Sequence, residues 1–200
     1  LEEPIARHRP LARAVDDGIL VDAGAFSATF DSNGARFYLD GAVVAGPLVS
    51  RISTRERAGN AGDVARSYTL PLANAALERN GPLQAVVKFE GWHENGDDRI
   101  SPSTVRLTFT RGQPFVRISH TFVMSADPDS TVVTGVELIA SLRDAPARLG
   151  YLDALVAKTA PLGESGASIL QRNVAERKYP QTANEFLGAY TVAAGGQGVA

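Results

Sequence analysis

The sequence predicts an all-β fold, an antiparallel sandwich or barrel with irregular extensions at both ends. Three observations predict it. Apolar residues recur at every second position through the central segments, and Asn, Asp, Gly and Pro gather between them. The strands so defined follow one another at roughly 8–15 residues, the spacing of hairpin-connected sheets.

Residues 1–17, with Pro4, Pro10 and the basic group Arg7, His8, Arg9 and Arg13, carry no clear period and read as an extended lead-in. From Gly18 the pattern is that of strands. Ile19, Val21 and Ala23 alternate with polar or small residues, and Phe26, Ala28 and Phe30 do the same. Asp31-Ser32-Asn33-Gly34 ends that run, because Asp and Asn side chains bond their own backbone and glycine tolerates positive φ. Phe37, Leu39 and Val43-Val44 form short strands around Asp40-Gly41, a favoured hairpin turn.

The middle of the chain carries the strongest signals. Leu83, Ala85, Val87 and Phe89 define one buried face, while Gln84, Val86, Lys88, Glu90 and Trp92 point to the other side. Asn95-Gly96-Asp97-Asp98 supplies a turn. Val105, Leu107 and Phe109 build a second buried face opposed by Arg106, Thr108 and Thr110, and Gly112-Gln113-Pro114 reverses the chain. Val116, Ile118, His120 and Phe122 share a face, with Arg117, Ser119 and Thr121 opposite. Asp127-Pro128-Asp129-Ser130 introduces a β-branched strand over Thr131–Leu142.

Beyond Arg143 the pattern weakens. Tyr151 to Ala157 reads as a helical turn or two, and Glu164 to Tyr179 as a strand pair or a loop. The expected organisation is a lead-in over 1–17, a β domain over 18–145, and an irregular extension or linker over 146–200. A first residue of Leu1 and a last stretch of Gly195-Gly196-Gln197-Gly198-Val199-Ala200 suggest a piece of something longer, with a processed whole protein as the alternative.

Composition narrows the function classes. An apolar share of 44% and a charged share of 21% suit a globular core. A net charge of −2 gives no electrostatic reason to expect nucleic acid, and the apolar runs fall far short of the ~20 residues of a membrane span. No cysteine is present, so neither a disulfide nor a thiolate is available. That is compatible with cytoplasm and periplasm alike, and a secreted or periplasmic location is only slightly favoured.

The residues that point further lie between Asn80 and Val133. They read Asn80-Gly81-Pro82-Leu83, a strand, Glu90-Gly91-Trp92-His93, then Val105-Arg106-Leu107-Thr108-Phe109, then Pro114-Phe115-Val116-Arg117-Ile118-Ser119-His120-Thr121-Phe122. This ordered set, with Val21–Phe26 as an opening strand, resembles the N-terminal RIFT-barrel domain of exo-rhamnogalacturonan lyase-like proteins. The resemblance implies a non-catalytic domain of a multidomain carbohydrate-active protein. It also implies a downstream catalytic (α/α) toroid of the same protein as partner, an acidic polysaccharide as ligand, and no cofactor. Any lyase activity would then belong to the parent protein and not to this chain alone. A stand-alone carbohydrate-binding module is the rival.

β-Elimination from a uronate needs a base near the C5 proton and a group that neutralises the adjacent carboxylate. His120 is the best single residue for chemistry, although a core histidine bonded to backbone or a Thr competes with a ligand contact. Glu90, Trp92 and His93 close one strand, where the indole could stack on a sugar ring or cover a sheet edge. Arg106 and Arg117 share the outer face of a hairpin and could hold a carboxylate, unless they are solvated or paired with Glu90 or an Asp. Arg51, Arg55 and Arg57 read as a solvated basic loop within Ser50 to Gly59. Metal sites are not expected: His8, His93 and His120 lack ligand spacing, and Asp31–Gly34 lacks the remaining ligands of a calcium loop. Gly59–Gly62 matches no nucleotide fingerprint, and Gly163-Glu164-Ser165-Gly166-Ala167 is not a nucleophile elbow.

Overall fold

The computed structural model describes residues 9–57 and 63–142 with their side chains, and beyond them the backbone of five strands. The chain divides into two units, Leu1–Arg143 and Asp144–Ala200.

The first unit begins with a meander of β1 (Ala12–Val15), β2 (Gly18–Asp22), β3 (Phe26–Asp31) and β4 (Gly34–Leu39), each antiparallel to the next. Local chemistry sets the turns. The Asn33 N–H donates to Asp31 Oδ1 at 2.7 Å, and Asp40 and Gly41 both take positive φ, 48° and 81°. Two successive left-handed residues match the twist of a tight hairpin. Strand β1 lies within the lead-in expected over 1–17, and Leu11 and Ala12 are buried there.

Strand β5 (Ala42–Glu56) is the corner of the domain. Its start pairs with β4, and after Pro47 the strand pairs with β6 (Val64–Pro71) on one edge and β11 (Thr131–Leu142) on the other. Strand β7 (Ala75–Asn80) adds to β8 (Gln84–Asn95), which continues into β9 (Asp98–Thr110) and β10 (Val116–Phe122). The hydrogen-bonded path runs β1-β2-β3-β4-β5-β6-β8-β9-β10, and β1 does not meet β10. Among the described residues the sheet is therefore open, a β-sandwich and not a closed barrel.

Phe30 of β3 sits 5.7 Å from Phe89 of β8 and 6.0 Å from Phe109 of β9, ring centre to ring centre, while Phe26 stacks on Phe109 at 6.2 Å. These rings join the meander to the β8–β9 layer, with Val21, Ala28, Val87, Val105 and Leu107 buried around them. The rims are tied by the Gly112 N–H donating to the Ala23 carbonyl at 2.7 Å and by Asn80, whose amide exchanges hydrogen bonds with the Ala12 backbone at 2.9 and 3.0 Å.

Gly46 shows how tightly the corner is built. Its φ is 123°, and a Cβ there would run into the Ala35 carbonyl oxygen. Gly46→Ala is expected to cost about 2 kcal/mol, from the backbone conformation and the clash together, measurable as a lower urea midpoint.

Four expectations need correction. Leu83 does not share the buried face of β8: it is 66% exposed, because the strand starts after it, at Gln84. Arg51 and Arg55 belong to no loop but stand on the outer face of β5, paired with Glu137 and Asp63; residues 58–62 lie outside the described set. Ile118 and Phe122 are only partly covered, since β10 ends the hydrogen-bonded path with no strand on its far edge among the described residues. In the second unit, Tyr151 is no part of a helical turn: β12 (Arg148–Asp153) pairs with β13 (Val156–Pro161). Within Glu164–Tyr179, Ala167–Gln171 is β14, paired with β15 (Tyr190–Ala194), which also pairs with β16 (Gln197–Val199). These strands are only three to six residues long, too short for alternation to announce them. The described residues contain no helix long and apolar enough to cross a membrane.

Candidate functional site

Strand β8 separates two kinds of chemistry. Ala85, Val87, Phe89, Gly91 and His93 face inward, and Gln84, Lys88, Glu90, Trp92 and Glu94 face outward. Gly91 is the inward position over which Leu70 lies: a Cβ there would come within 2.6 Å of Leu70 Cδ1. His93 follows one step on, fully buried. Opposite, the β8–β9 register shifts between Gly91 and His93, so that β9 carries an extra residue where Ser101 takes a φ of 51°. The bulge turns the Ser101 carbonyl toward His93.

The inner network can be written with its protons. The Ser101 carbonyl can only accept, so His93 Nδ1 carries the proton and donates to it at 2.9 Å. His93 Nε2 is then an acceptor, and the Ser50 hydroxyl, 2.7 Å away on β5, donates to it. That leaves the Ser50 oxygen to accept from His120 Nε2 on β10 at 3.1 Å. The Ser101 N–H donates to Ser125 Oγ at 2.8 Å. One serine therefore links two layers through two imidazoles. Burial holds both histidines below the ordinary value of 6.5; the Ser101 bond opposes this for His93, whereas His93 adds to it for His120. Both are neutral at pH 7. The hydroxyls of Thr54 and Ser101 are buried with no partner among the described residues, and Ser50 has no exposed surface, so substrate cannot reach it here.

The outer face is open. Trp92, 44% exposed, lines a groove of about 300 Å³ with Asn74, Glu90, Glu94 and Pro71. Glu90 is held by Lys88 at 3.0 Å. Along the same face, a shallower cavity of about 410 Å³ is lined by Glu78, Arg79, Gln84, Arg106, Arg117 and Ser119. Arg106 grips Glu78 with two bonds, Nε to Oε2 at 2.8 Å and Nη2 to Oε1 at 2.9 Å. Each partner stabilises the other's charged form, lowering the Glu78 pKa and raising that of Arg106. Arg79 donates to Gln84 at 3.2 Å. Arg117 has no ion-pair partner among the described residues, and it stands opposite Thr108, one step along the face from Arg106.

The six residues singled out in the sequence thus fall into three places. Glu90 and Trp92 line the groove, Arg106 and Arg117 line the cavity, and His93 and His120 meet inside at Ser50. Two partnerships differ from expectation: Arg106 pairs with Glu78 instead of Glu90 or an Asp, and the partner of His120 is a serine hydroxyl instead of backbone or a threonine. His93 does not join Glu90 and Trp92 at the strand edge as expected: it continues the inward series Ala85, Val87, Phe89, the signal by which alternation separates it from them. Ser50 went unnoticed, although Leu48, Ser50, Ile52 and Thr54 alternate in the same way. Ser101 had no signal, because a bulge shifts its register. Among the described residues no group of three or more His, Asp or Glu side chains converges as a metal site.

Comparison with known proteins places this architecture. No curated protein matches the chain. The family model described as the PcRGLX-like protein central beta sandwich domain matches residues 11–146, which is the whole of the sandwich from Leu11 past β11. That description says central where the sequence resemblance said N-terminal, and sandwich where it said RIFT barrel; the relation to rhamnogalacturonan lyase-like proteins stands. The chain belongs to the family of PcRGLX-like central β-sandwich domains.

Proposed function

We propose that this domain is a non-catalytic module of a rhamnogalacturonan lyase-like protein. It packs on a separate catalytic domain and flanks the substrate cleft, offering the outer face of β7–β10 to an acidic polysaccharide. One observation carries the reading: both described histidines are committed to Ser50, where Ser50 and His93 are sealed, while Trp92 and Arg117 are left open on the outer face. Three arginines against one glutamate leave the cavity cationic, as a carboxylate-bearing sugar requires. The indole gives a platform for the apolar face of a neighbouring ring, with Asn74 and the acidic side chains beside it for hydroxyls. The exposed Trp92 groove also favours a second reading, a stand-alone carbohydrate-binding module.

Calorimetric titration of the chain with oligogalacturonate and with a neutral glucan separates these. The proposal expects binding of the acidic ligand alone, weakened roughly tenfold by Arg117→Ala with no loss of folding. Binding of neutral glycan that depends on Trp92 and ignores Arg117 would favour the second reading. Formation of unsaturated uronate by this chain alone would overturn the non-catalytic assignment.

A further inference from the structure

We infer that the Ser50 hydroxyl makes His93 and His120 a two-proton clasp that holds edge strand β10 to β5 and lets go on acidification. The inference rests on the geometry of three groups and on the count of protons they can share. Ser50 Oγ is 2.7 Å from His93 Nε2 and 3.1 Å from His120 Nε2, so both rings address one oxygen. With both rings neutral, His120 donates to Ser50, Ser50 donates to His93, and His93 donates to the Ser101 carbonyl, so every N–H and O–H proton of the three side chains has an acceptor.

A first proton is accommodated. Placed on His93 Nε2, it reverses the chain: His93 donates to Ser50, and Ser50 donates to His120 Nε2 once that ring carries its proton on Nδ1. Placed on His120, it leaves the original order intact. A second proton cannot be accommodated. Both Nε2 atoms are then donors to one oxygen, the Ser50 hydroxyl proton has no acceptor, and two cations stand with ring centres 6.4 Å apart in a desolvated site. The half-buried partner is the one free to leave. His120 lies on β10, whose far edge carries no strand among the described residues, whereas His93 is locked between Gly91 and the β9 bulge.

Among the described residues no charged side chain offsets the second proton. From β5, Arg51 and Arg55 face outward and pair with Glu137 and Asp63; from β8 and β9, Glu94 pairs with Arg99. Arg117 of β10 faces the opposite side from His120. From β6, Tyr68 is the inward titratable group, and its hydroxyl is committed to Asp98 at 2.7 Å, with its pKa pushed up to about 12. From β11, Leu138, beside Ser50, is apolar. Release of β10 would uncover Ile118 and Phe122, already partly exposed, and the ring of Phe122 that lies 5.6 Å from His120.

Amide exchange of the full chain, corrected for intrinsic pH effects, tests the clasp. Between pH 7.5 and 5.0 the amides of Val116–Phe122 are expected to exchange roughly tenfold faster or more, while those of Phe26–Leu39 do not change. His120→Gln, which keeps a donor but cannot charge, should abolish the acceleration, because the doubly protonated state no longer exists. Histidine ring resonances of the unaltered chain give a second reading that needs no variant. The clasp expects the two rings to titrate in separate steps, with β10 amides shifting only in the later one. Exchange at β10 that is indifferent to pH, acceleration that survives in His120→Gln, or β10 amides that follow the first step would each overturn the inference.

Discussion

Phe30→Ala is expected to destabilise the sandwich by about 3–5 kcal/mol, the largest effect of any single truncation proposed for this domain. The ring is buried and touches Phe37, Phe89 and Phe109, so its removal empties space on the meander side and on the β8–β9 side at once. Neither layer can move in to fill the void, because the rims are pinned by the Asn80–Ala12 and Gly112–Ala23 hydrogen bonds. A thermal midpoint lowered by roughly 10 °C or more would follow. Phe115→Ala is the control: Phe115 is 57% exposed and should change the midpoint little. Equal effects of the two would mean that the layers are not joined through Phe30.

His93→Ala comes second, at about 3 kcal/mol near neutral pH. It leaves the buried Ser50 hydroxyl without its acceptor and opens a cavity behind Gly91. The same substitution has a pH signature whose sign is fixed. Both histidines are held below 6.5 in the folded chain, so above that value neither state is protonated and the full stability is present. As pH falls through 6.5 the unfolded chain takes up protons that the folded chain resists, and stability declines until the lowered folded values are passed. Denaturant midpoints of the unaltered chain should therefore drop between pH 7 and 5, before the carboxylates titrate. In His93→Ala that slope should be shallower, since one of the two groups is gone. An identical slope in both would show that the histidines do not couple to folding.

Much of this fold was legible because its turns are made by residues with few alternatives. Asp31–Gly34, Asp40-Gly41 and Asn95–Asp98 each dictate a reversal, and the strands between them alternate strongly enough to show which side is inside. What escaped was the polar part of the interior. Strand β5 looked like a basic loop because its outward residues include Arg51 and Arg55 and its inward ones include Ser50 and Thr54, so the usual contrast of apolar inside and polar outside is weakened along it. At Ser50 the reason is that His93 and His120 share its hydroxyl, a long-range condition that no local pattern announces. The outer-face residues Trp92, Glu90, Arg106 and Arg117 were readable for the converse reason: they sit on strands whose inward partners are plainly apolar. The partner of Arg106 was not, since its pairing with Glu78 spans three strands and depends on the register shift in β7 between Leu77 and Arg79.

The division of chemistry between a closed interior and an open outer face is tested most directly by resonance mapping of the chain with oligogalacturonate. The expected perturbations are the indole N–H of Trp92 and the guanidinium of Arg117, with the His93 and His120 ring signals unmoved. Perturbation centred on His93 and His120 with Trp92 silent would contradict it.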